Sequence, residues 1–267
     1  MGDFLKSMAQ SSAARAAMAP VFTDADFDKP VVPLSLGSFG VIAEIKQRSP
    51  AEGKLGVSHP NNQSKGVSHL ISRARDYAAG GAAAISVLTE PSRFDGELSH
   101  LEEVVEAVPG TPVMRKDFLV EPAQVLEGRK AGASGVLLIT TMLSDAKLRA
   151  MLDCAFEHGM FVLLESFDEE DLMRSAGFLD ADGDLLIGVN TRNLRTLEVD
   201  PERLQRLAPL LPDAKCVAES GLRVADDAAR AKDWGYSMAL VGTALMRSDD
   251  PTALIKAMRE AGSTGCS

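Results

Sequence analysis

The chain has 267 residues, of which 45% are hydrophobic and 25% are charged, and its formal net charge is −10 at pH 7. This composition is typical of a globular protein with a large core. The acidic charge argues against nucleic acid or an anionic membrane as the main partner, so a phosphorylated substrate would need a local cluster of positive charge.

Targeting, membrane and metal-binding signals are absent from the sequence. The N-terminal MGDFLKSMAQ lacks the basic region and apolar block of a signal peptide, and no apolar run approaches the roughly 18 residues of a membrane helix. The three cysteines, Cys154, Cys216 and Cys266, have no metal-like spacing, and the four histidines form no zinc-type pair. We therefore expect a cytoplasmic protein without a metal, with Cys216 buried in the core.

The elements are predicted as follows along the chain. An Ala-rich amphipathic stretch, FLKSMAQSSAARAAMA, predicts an extra helix within an N-terminal extension over 1–38. Eight short apolar runs then predict strands over 39–46, 82–88, 111–117, 134–140, 160–166, 184–190, 214–220 and 237–243. Apolar residues at i, i+3, i+4 spacing predict intervening helices over about 65–79, 98–107, 122–131, 144–157, 168–175, 201–210, 224–233 and 250–260.

Eight successive strand–helix units predict an α/β fold. Strands that are apolar throughout indicate a parallel sheet covered by helices, so we predict a single (β/α)8 TIM barrel over 39–262. A doubly wound open sheet is the alternative, but its GxGxxG fingerprint after the first strand is absent. Glycines at 81, 132, 159 and 235 follow predicted helices and suit left-handed C-caps.

Charged residues stand at the ends of several predicted strands, where a (β/α)8 barrel carries its active site. In VIAEIKQRSP, the alternation of a strand places Ile42, Glu44 and Lys46 on one face, which we predict points inward. Burial and nearby charge can bring the pKa of a lysine or glutamate toward neutrality, which suits proton transfer at a carbonyl. The alternative is that each charge marks the point where a strand meets water.

The last two strands carry signals of phosphate binding. ESG at 219–221 and VGTAL at 241–245 place glycines at adjacent strand ends, where the backbone can approach an anion. Barrels of this type often bind phosphate at these two strands, so we predict a phosphate site there.

Motifs in a fixed order extend over about residues 40 to 250. They are AEIKQRSP, AISVLTEPSRFDG, PVMRKDFLVEPAQVLEGRKAGASGVLLI, LLES, IGVNTRNLRTLEVD, AESGL and LVGTALMR. In this order they resemble the indole-3-glycerol phosphate synthase family, (β/α)8 enzymes of tryptophan biosynthesis. The resemblance implies closure of 1-(2-carboxyphenylamino)-1-deoxyribulose 5-phosphate to an indole, with loss of carbon dioxide and water and without a metal or organic cofactor.

The resemblance also implies catalytic roles. Lys116 would be the principal general acid at the ketone oxygen, and Glu165 the general base of the dehydration. Lys46 would bind or polarise the substrate near its carboxylate and share acid duty with Lys116. The groups implied to orient these side chains and to hold hydroxyls are Glu44, Asn190 and Glu219.

Binding roles follow from the same motifs. Arg192 would help to hold the anthranilate carboxylate. The residues implied to surround the phosphate are Ser49, Ser220, Gly221, Gly242 and Thr243. The apolar positions implied to surround the aromatic ring are Phe94, Phe118, Leu137 and Leu197. An association with other enzymes of the tryptophan pathway is a further expectation.

One segment departs from the family pattern. The stretch Ala51–Ala83 is longer than usual, with a polar insert at GVSHPNNQSKGVS and with Glu52 where the family often has a small residue. We expect this difference to affect the closing of the first loop rather than the type of reaction. The alternatives are phosphoribosylanthranilate isomerase, whose first-strand cysteine is absent here, a non-catalytic ligand-binding barrel, and a paralogue acting on a modified anthranilate.

Overall fold

A closed barrel of eight parallel strands forms the centre of the molecule. The computed structural model describes residues 3–49, 53–54, 69–194 and 198–264. The barrel strands, β1 to β8, are Gly40–Ile45, Ala84–Leu88, Val113–Lys116, Gly135–Ile139, Phe161–Ser166, Leu185–Asn190, Lys215–Glu219 and Met238–Val241. Each strand pairs with its sequence neighbours, and β1 pairs with β8 through Gly40 and Met238, which closes the barrel. The predicted (β/α)8 fold is confirmed.

The helices α1 to α11 surround this barrel. They are Asp3–Ala16, His69–Ala79, Pro91–Phe94, Leu98–Ala107, Pro122–Lys130, Asp145–Glu157, Glu169–Ala176, Arg203–Leu207, Ala225–Asp233, Thr243–Arg247 and Pro251–Thr264. The predicted start of α2 at residue 65 lies outside the described residues. The helix predicted over 201–210 is shorter, because α8 ends at Leu207 and a 3₁₀ turn follows over Ala208–Leu210. The short helices α3 and α10 were not predicted.

Two apolar layers explain why the strands are hydrophobic on both faces. Ile42, Met114 and Leu186 lie in a cluster inside the barrel, whereas Val41 and Ala43 lie in the larger cluster between strands and helices. Burying a side chain of leucine or isoleucine size contributes roughly 1.5–3 kcal/mol, so both faces of each strand stabilise the fold. The inward register predicted for β1 is therefore confirmed.

Glycines in the left-handed conformation follow the C-terminal ends of several helices, as predicted. The glycines after α2, α5, α6 and α9 have φ of +78°, +97°, +70° and +96° at positions 81, 132, 159 and 235. These values lie in the left-handed region, which a side chain disfavours. Each turn returns the chain toward the next strand.

The N-terminal helix α1 lies across the barrel rather than apart from it. Leu5 and Met8 join the interior apolar cluster, and the side-chain amide of Gln124 in α5 donates to the Ser12 hydroxyl at 2.9 Å. The predicted extra helix is confirmed, while the boundary at residue 38 stays a prediction. Within the described part of the chain, no helix has both the length and the apolar character needed to cross a membrane.

Candidate active site

A chain of alternating charges lies at the carboxyl ends of three strands. The Lys46 ammonium is 2.6 Å from Glu44 Oε1, and Lys116 Nζ is 3.7 Å from Glu44 Oε2. Lys116 Nζ also lies 3.9 Å from Glu165 Oε2. Glu44 belongs to β1, Lys116 to β3 and Glu165 to β5, so the barrel brings together residues far apart in sequence. These ion pairs argue against the alternative in which each charge only marks the end of a strand.

Lys116 is held in its ammonium form. Burial by itself would lower the pKa of Lys116, but the carboxylates of Glu165, Glu44 and Glu219 outweigh it and raise the pKa above its ordinary value. The expectation that the site shifts a lysine pKa toward neutrality is therefore wrong for Lys116, because three acidic groups converge on it. At neutral pH this side chain is a proton donor rather than a base.

Glu44 is the anionic partner of both lysines. Burial would raise the pKa of Glu44, but the charges of Lys46 and Lys116 outweigh it and lower the pKa. Gly242, which follows β8, makes room for this arrangement, since a Cβ there would overlap Glu44 Oε1 and lie 2.9 Å from Lys46 Nζ. Gly242 thus permits the ion pair, in addition to the phosphate contact predicted for it.

A second acidic group, Glu219, lies at the end of β7. The side chains of Glu165 and Glu219 are buried, and their carboxylate oxygens accept no hydrogen bond from the described residues. Burial and then the neighbouring Glu165 raise the pKa of Glu219 well above its ordinary value. Glu219 therefore fits the expectation of a glutamate shifted toward neutrality.

The loop after β6 is fixed by polar contacts with the strand end. Asn190 is buried, and its Oδ1 accepts a hydrogen bond from the Arg192 backbone N–H at 2.9 Å. Arg203 of α8 donates to the carbonyl oxygens of Asn190 and Thr191 at 2.8 and 3.0 Å. Arg192 forms an antiparallel bridge with Val199 across the loop. These bonds fix the backbone that carries both predicted site residues.

An aromatic wall lies beside the charges. The ring centroid of Phe118 is 6.2 Å from that of Phe94 and 5.9 Å from that of Phe4, the latter in an edge-to-face contact. These three rings and Leu137 belong to one apolar cluster or pack against it. Such a surface suits the face of an aryl ring. Leu197, also predicted here, lies outside the described residues.

The predicted phosphate residues stand on three separate turns. Ser220 and Gly221 after β7 have φ of +66° and +84°. A non-glycine residue such as Ser220 rarely adopts a positive φ, and the residues that do are concentrated at functional sites. Thr243 begins α10. Ser49 belongs to a two-residue antiparallel pair with Gly53, and its side chain is outside the described part of the molecule. The loop predicted to differ from the family also falls largely outside it, at 50–52 and 55–68.

Comparison with known proteins identifies the family. The family model described as indole-3-glycerol phosphate synthase matches residues 8–258. The chain belongs to the indole-3-glycerol phosphate synthase family. A synthase of that name from Nocardioides sp. is 45% identical over 239 residues, covering 88% of this chain and 86% of the relative. One from Methanopyrus kandleri is 41% identical over 232 residues, covering 86% of each. Members of this family are carboxy-lyases of tryptophan biosynthesis.

Solved structures show how widely the fold is shared. A 3-hexulose-6-phosphate synthase from Salmonella typhimurium gives a TM-score of 0.63 at 13% identity, covering 84% of this chain and 98% of the other. The tryptophan synthase alpha subunit of Legionella pneumophila gives 0.55 at 13% identity, covering 98% of both chains. At this identity the likeness concerns the barrel alone, whereas the family assignment rests on the sequence relatives.

The indole-3-glycerol phosphate synthase motif RKDF has a partner that sequence reasoning missed. Arg15 of α1 makes a two-pronged salt bridge to Asp117, with both N–O distances 2.8 Å. Burial would raise the pKa of Asp117, but the hydrogen bonds from Arg15 and the charge of Arg115 outweigh it and lower the pKa. Helix α1 is thus bound through this salt bridge to the residue that follows Lys116.

Phe4 is the second residue that sequence reasoning missed at this family site. It packs edge-to-face against Phe118 from the start of α1. The sequence does place Phe4 about three turns before Arg15 on a predicted amphipathic helix. It does not indicate which part of the barrel that helix covers. In the part of the chain that the structure describes, no group of three or more His, Cys, Asp or Glu side chains could hold a metal ion.

Proposed function

We propose that this barrel mouth closes 1-(2-carboxyphenylamino)-1-deoxyribulose 5-phosphate to indole-3-glycerol phosphate, with Lys116 as the principal general acid. The observation that carries the proposal is the Lys116 ammonium, positioned 3.7 Å from Glu44 and 3.9 Å from Glu165 at the end of β3. Membership of the family supports the reaction, and the ion pairs support the roles of the residues.

Ring closure is the step that needs an acid first. The aryl carbon that bears the carboxylate attacks the ketone carbon, and the ketone oxygen must gain a proton as the bond forms. Lys116 supplies it, because the surrounding carboxylates raise its pKa and keep the ammonium form populated. A positioned general acid contributes typically 10²–10⁴-fold to rate. Carbon dioxide then leaves and the aryl ring regains its aromatic electrons.

The substrate carboxylate needs cations until that step. We assign this binding to Lys46, whose ammonium is paired with Glu44 at 2.6 Å, and to Arg192, which lies on the loop fixed by Asn190. Glu44 holds the Lys46 ammonium in place, and Lys46 shares acid duty with Lys116. The expected consequence is that changes at Lys46 affect both binding and turnover.

Dehydration follows decarboxylation and needs a base. Glu165 takes the proton from the ring carbon next to nitrogen, since its carboxylate oxygens accept no hydrogen bond from the described residues and lie beside Lys116. Asn190 and Glu219, register partners on β6 and β7, hold the substrate hydroxyls. The product is the indole ring carrying a glycerol phosphate.

The remaining contacts divide the substrate between two sides of the mouth. The aryl ring lies against Phe94, Phe118 and Leu137, because these side chains form or adjoin the apolar cluster. The phosphate lies at the turns after β7 and β8, where Ser220, Gly221, Gly242 and Thr243 offer backbone N–H groups. Ser49 and Leu197 complete these two groups as predictions from the family motifs.

The test is formation of indole fluorescence from the stated substrate by the purified chain. We expect saturable formation of indole-3-glycerol phosphate together with one carbon dioxide per turnover. Isomerisation of phosphoribosylanthranilate instead would overturn the proposal, as would binding of the substrate without turnover. Turnover of a ring-substituted anthranilate derivative far above that of the parent would reassign the substrate. A cytoplasmic location and association with other tryptophan-pathway enzymes are further proposals, supported by the biosynthetic role of the family.

A further inference from the structure

Two buried carboxyl groups converge over one glycine inside the barrel mouth. Glu165 of β5 is the register partner of Gly188 on β6. A Cβ on Gly188 would overlap Oε1 of Glu219, which comes from β7 on the other side. The missing side chain therefore leaves space on β6 into which the carboxyl group of Glu219 extends toward Glu165. Glu165 is 0% exposed and Glu219 is 1% exposed.

The charges around this pair do not balance if all groups are ionised. The mouth holds the carboxyl groups of Glu44, Glu165 and Glu219, and among the described residues their ion pairs are with the ammonium groups of Lys46 and Lys116. Lys46 forms an ion pair with Glu44 at 2.6 Å, and Lys116 forms ion pairs with both Glu44 and Glu165. One buried carboxylate would remain uncompensated, which is costly in a low-dielectric interior.

We propose that Glu165 and Glu219 hold one proton between them, and that Glu219 is the general acid that protonates the departing hydroxyl in the dehydration. The proposal rests on the proposed function, in which Glu165 is the base of the same step. Two carboxyl groups that share a site cannot both ionise freely, and one then acts as acid and the other as base. The raised pKa of Glu219, caused by burial and by Glu165, agrees with this division.

The atoms and electrons of the step balance within the pair. Glu165 takes the proton from the ring carbon next to nitrogen, and the electron pair of that C–H bond becomes the second bond of the new C=C. The C–O bond at the former ketone carbon breaks with its electron pair on oxygen, which takes the proton of Glu219 and leaves as water. Glu165 is then protonated and Glu219 ionised, and one proton transfer between them restores the starting state.

This arrangement also separates two proton requirements of the reaction. The overall conversion of an ionised carboxylate into carbon dioxide consumes one proton per turnover. Lys116 delivers that proton to the ketone oxygen and regains one from solvent through the mouth, whereas the carboxyl pair gives and receives one proton within itself. Lys116 is thus not required to be protonated a second time before water leaves.

The decisive variant is Glu219→Gln, which keeps a neutral hydrogen-bond donor but has no proton to transfer. We expect carbon dioxide release in the first turnover to persist and indole fluorescence to fall by about 10²-fold or more, with KM near the wild-type value. The decarboxylated hydroxyindoline should accumulate and be visible in a quenched sample by mass. Glu157→Gln, an exposed change at the end of α6, is the matched control and should behave as wild type.

Equal release of carbon dioxide and indole by Glu219→Gln at the wild-type rate would overturn the proposal, because a hydrogen-bond donor would then suffice. Absence of both products from the wild type would instead overturn the proposed function. A measurement that needs no folded variant is infrared spectroscopy of the wild type at neutral pH in the carboxylic-acid C=O region. We expect a buried protonated carboxyl band there, and its absence would contradict the shared proton.

Discussion

Glu44 and Glu219 are buried carboxyl groups at the same barrel mouth, yet their pKa values move in opposite directions. Glu44 faces two ammonium groups, which lower its pKa. Glu219 is buried beside Glu165, which raises its pKa. The difference arises from the immediate neighbours rather than from the degree of burial, because both side chains are nearly inaccessible.

The raised pKa of Glu219 predicts how stability depends on pH. A folded-state pKa above the unfolded value gives stability that is fully present below the unfolded value, about 4.5, and is lost as pH rises through the folded pKa. Glu219→Gln removes this loss. We therefore expect the free energy of unfolding of the variant, relative to wild type, to be more favourable at pH 8 than at pH 4 in urea titrations. A pH-independent difference would contradict this.

Gly188 is a second test at the scale of single residues. Gly188→Ala would place a Cβ against Oε1 of Glu219 and 3.1 Å from Leu163 Cδ1. Overpacking of this kind costs about 1–3 kcal/mol, and displacement of the carboxyl group should lower kcat about tenfold or more. Gly110→Ala is the matched control, since a Cβ there meets nothing within 4 Å. Equal urea midpoints and rates for the two variants would refute this explanation of Gly188.

At the scale of elements, α1 is part of the catalytic mouth. Its Arg15 pairs with Asp117, whose side chain is 0% exposed, and its Phe4 packs against Phe118. The two contacts hold Asp117 and Phe118, the two residues that follow Lys116, and Phe118 belongs to the aryl wall. The sequence predicts the helix from its amphipathic pattern, but a contact between residues 15 and 117 has no local signal.

Truncation of Arg15 should therefore affect both stability and catalysis. Arg15→Ala leaves a buried carboxylate without its main partner, for which we expect a loss of about 3 kcal/mol in the free energy of unfolding, together with a lower kcat. The loss should shrink as pH falls through the depressed pKa of Asp117, because the protonated group no longer needs the cation. Lys215→Ala, which breaks the exposed pair with Asp184, should cost less than about 1 kcal/mol. A similar cost for both variants in denaturant titrations would contradict this role of α1.

At the scale of the whole molecule, the sequence predicts most of the architecture. Apolar runs bounded by turn residues predict all eight strands, and the alternation in VIAEIKQRSP predicts which side chains point inward. The short helices α3 and α10 cannot be predicted in this way, because a helix of four or five residues is too short to show a helical periodicity. The position of α1 and the raised pKa of Lys116 depend on contacts between distant strands, which no local pattern encodes.

The candidate site, like the fold, has features that the sequence predicts and features that depend on contacts between distant residues. Family motifs identify the residues of the mouth, but the sequence does not indicate that Gly242 makes room for the Glu44–Lys46 pair or Gly188 for Glu219. These relations follow from the closure of the barrel, which sets β8 beside β1 and β6 between β5 and β7. The assignment of acids and bases therefore depends on the fold.

The role of Lys116 as general acid is tested most directly by the rate of indole fluorescence formation by Lys116→Ala under saturating 1-(2-carboxyphenylamino)-1-deoxyribulose 5-phosphate. We expect a loss of about 10²–10⁴-fold in kcat, with a folded barrel by circular dichroism, because among the described residues no other ammonium bridges Glu44 and Glu165. Turnover close to that of the wild type would show that Lys116 is not the general acid.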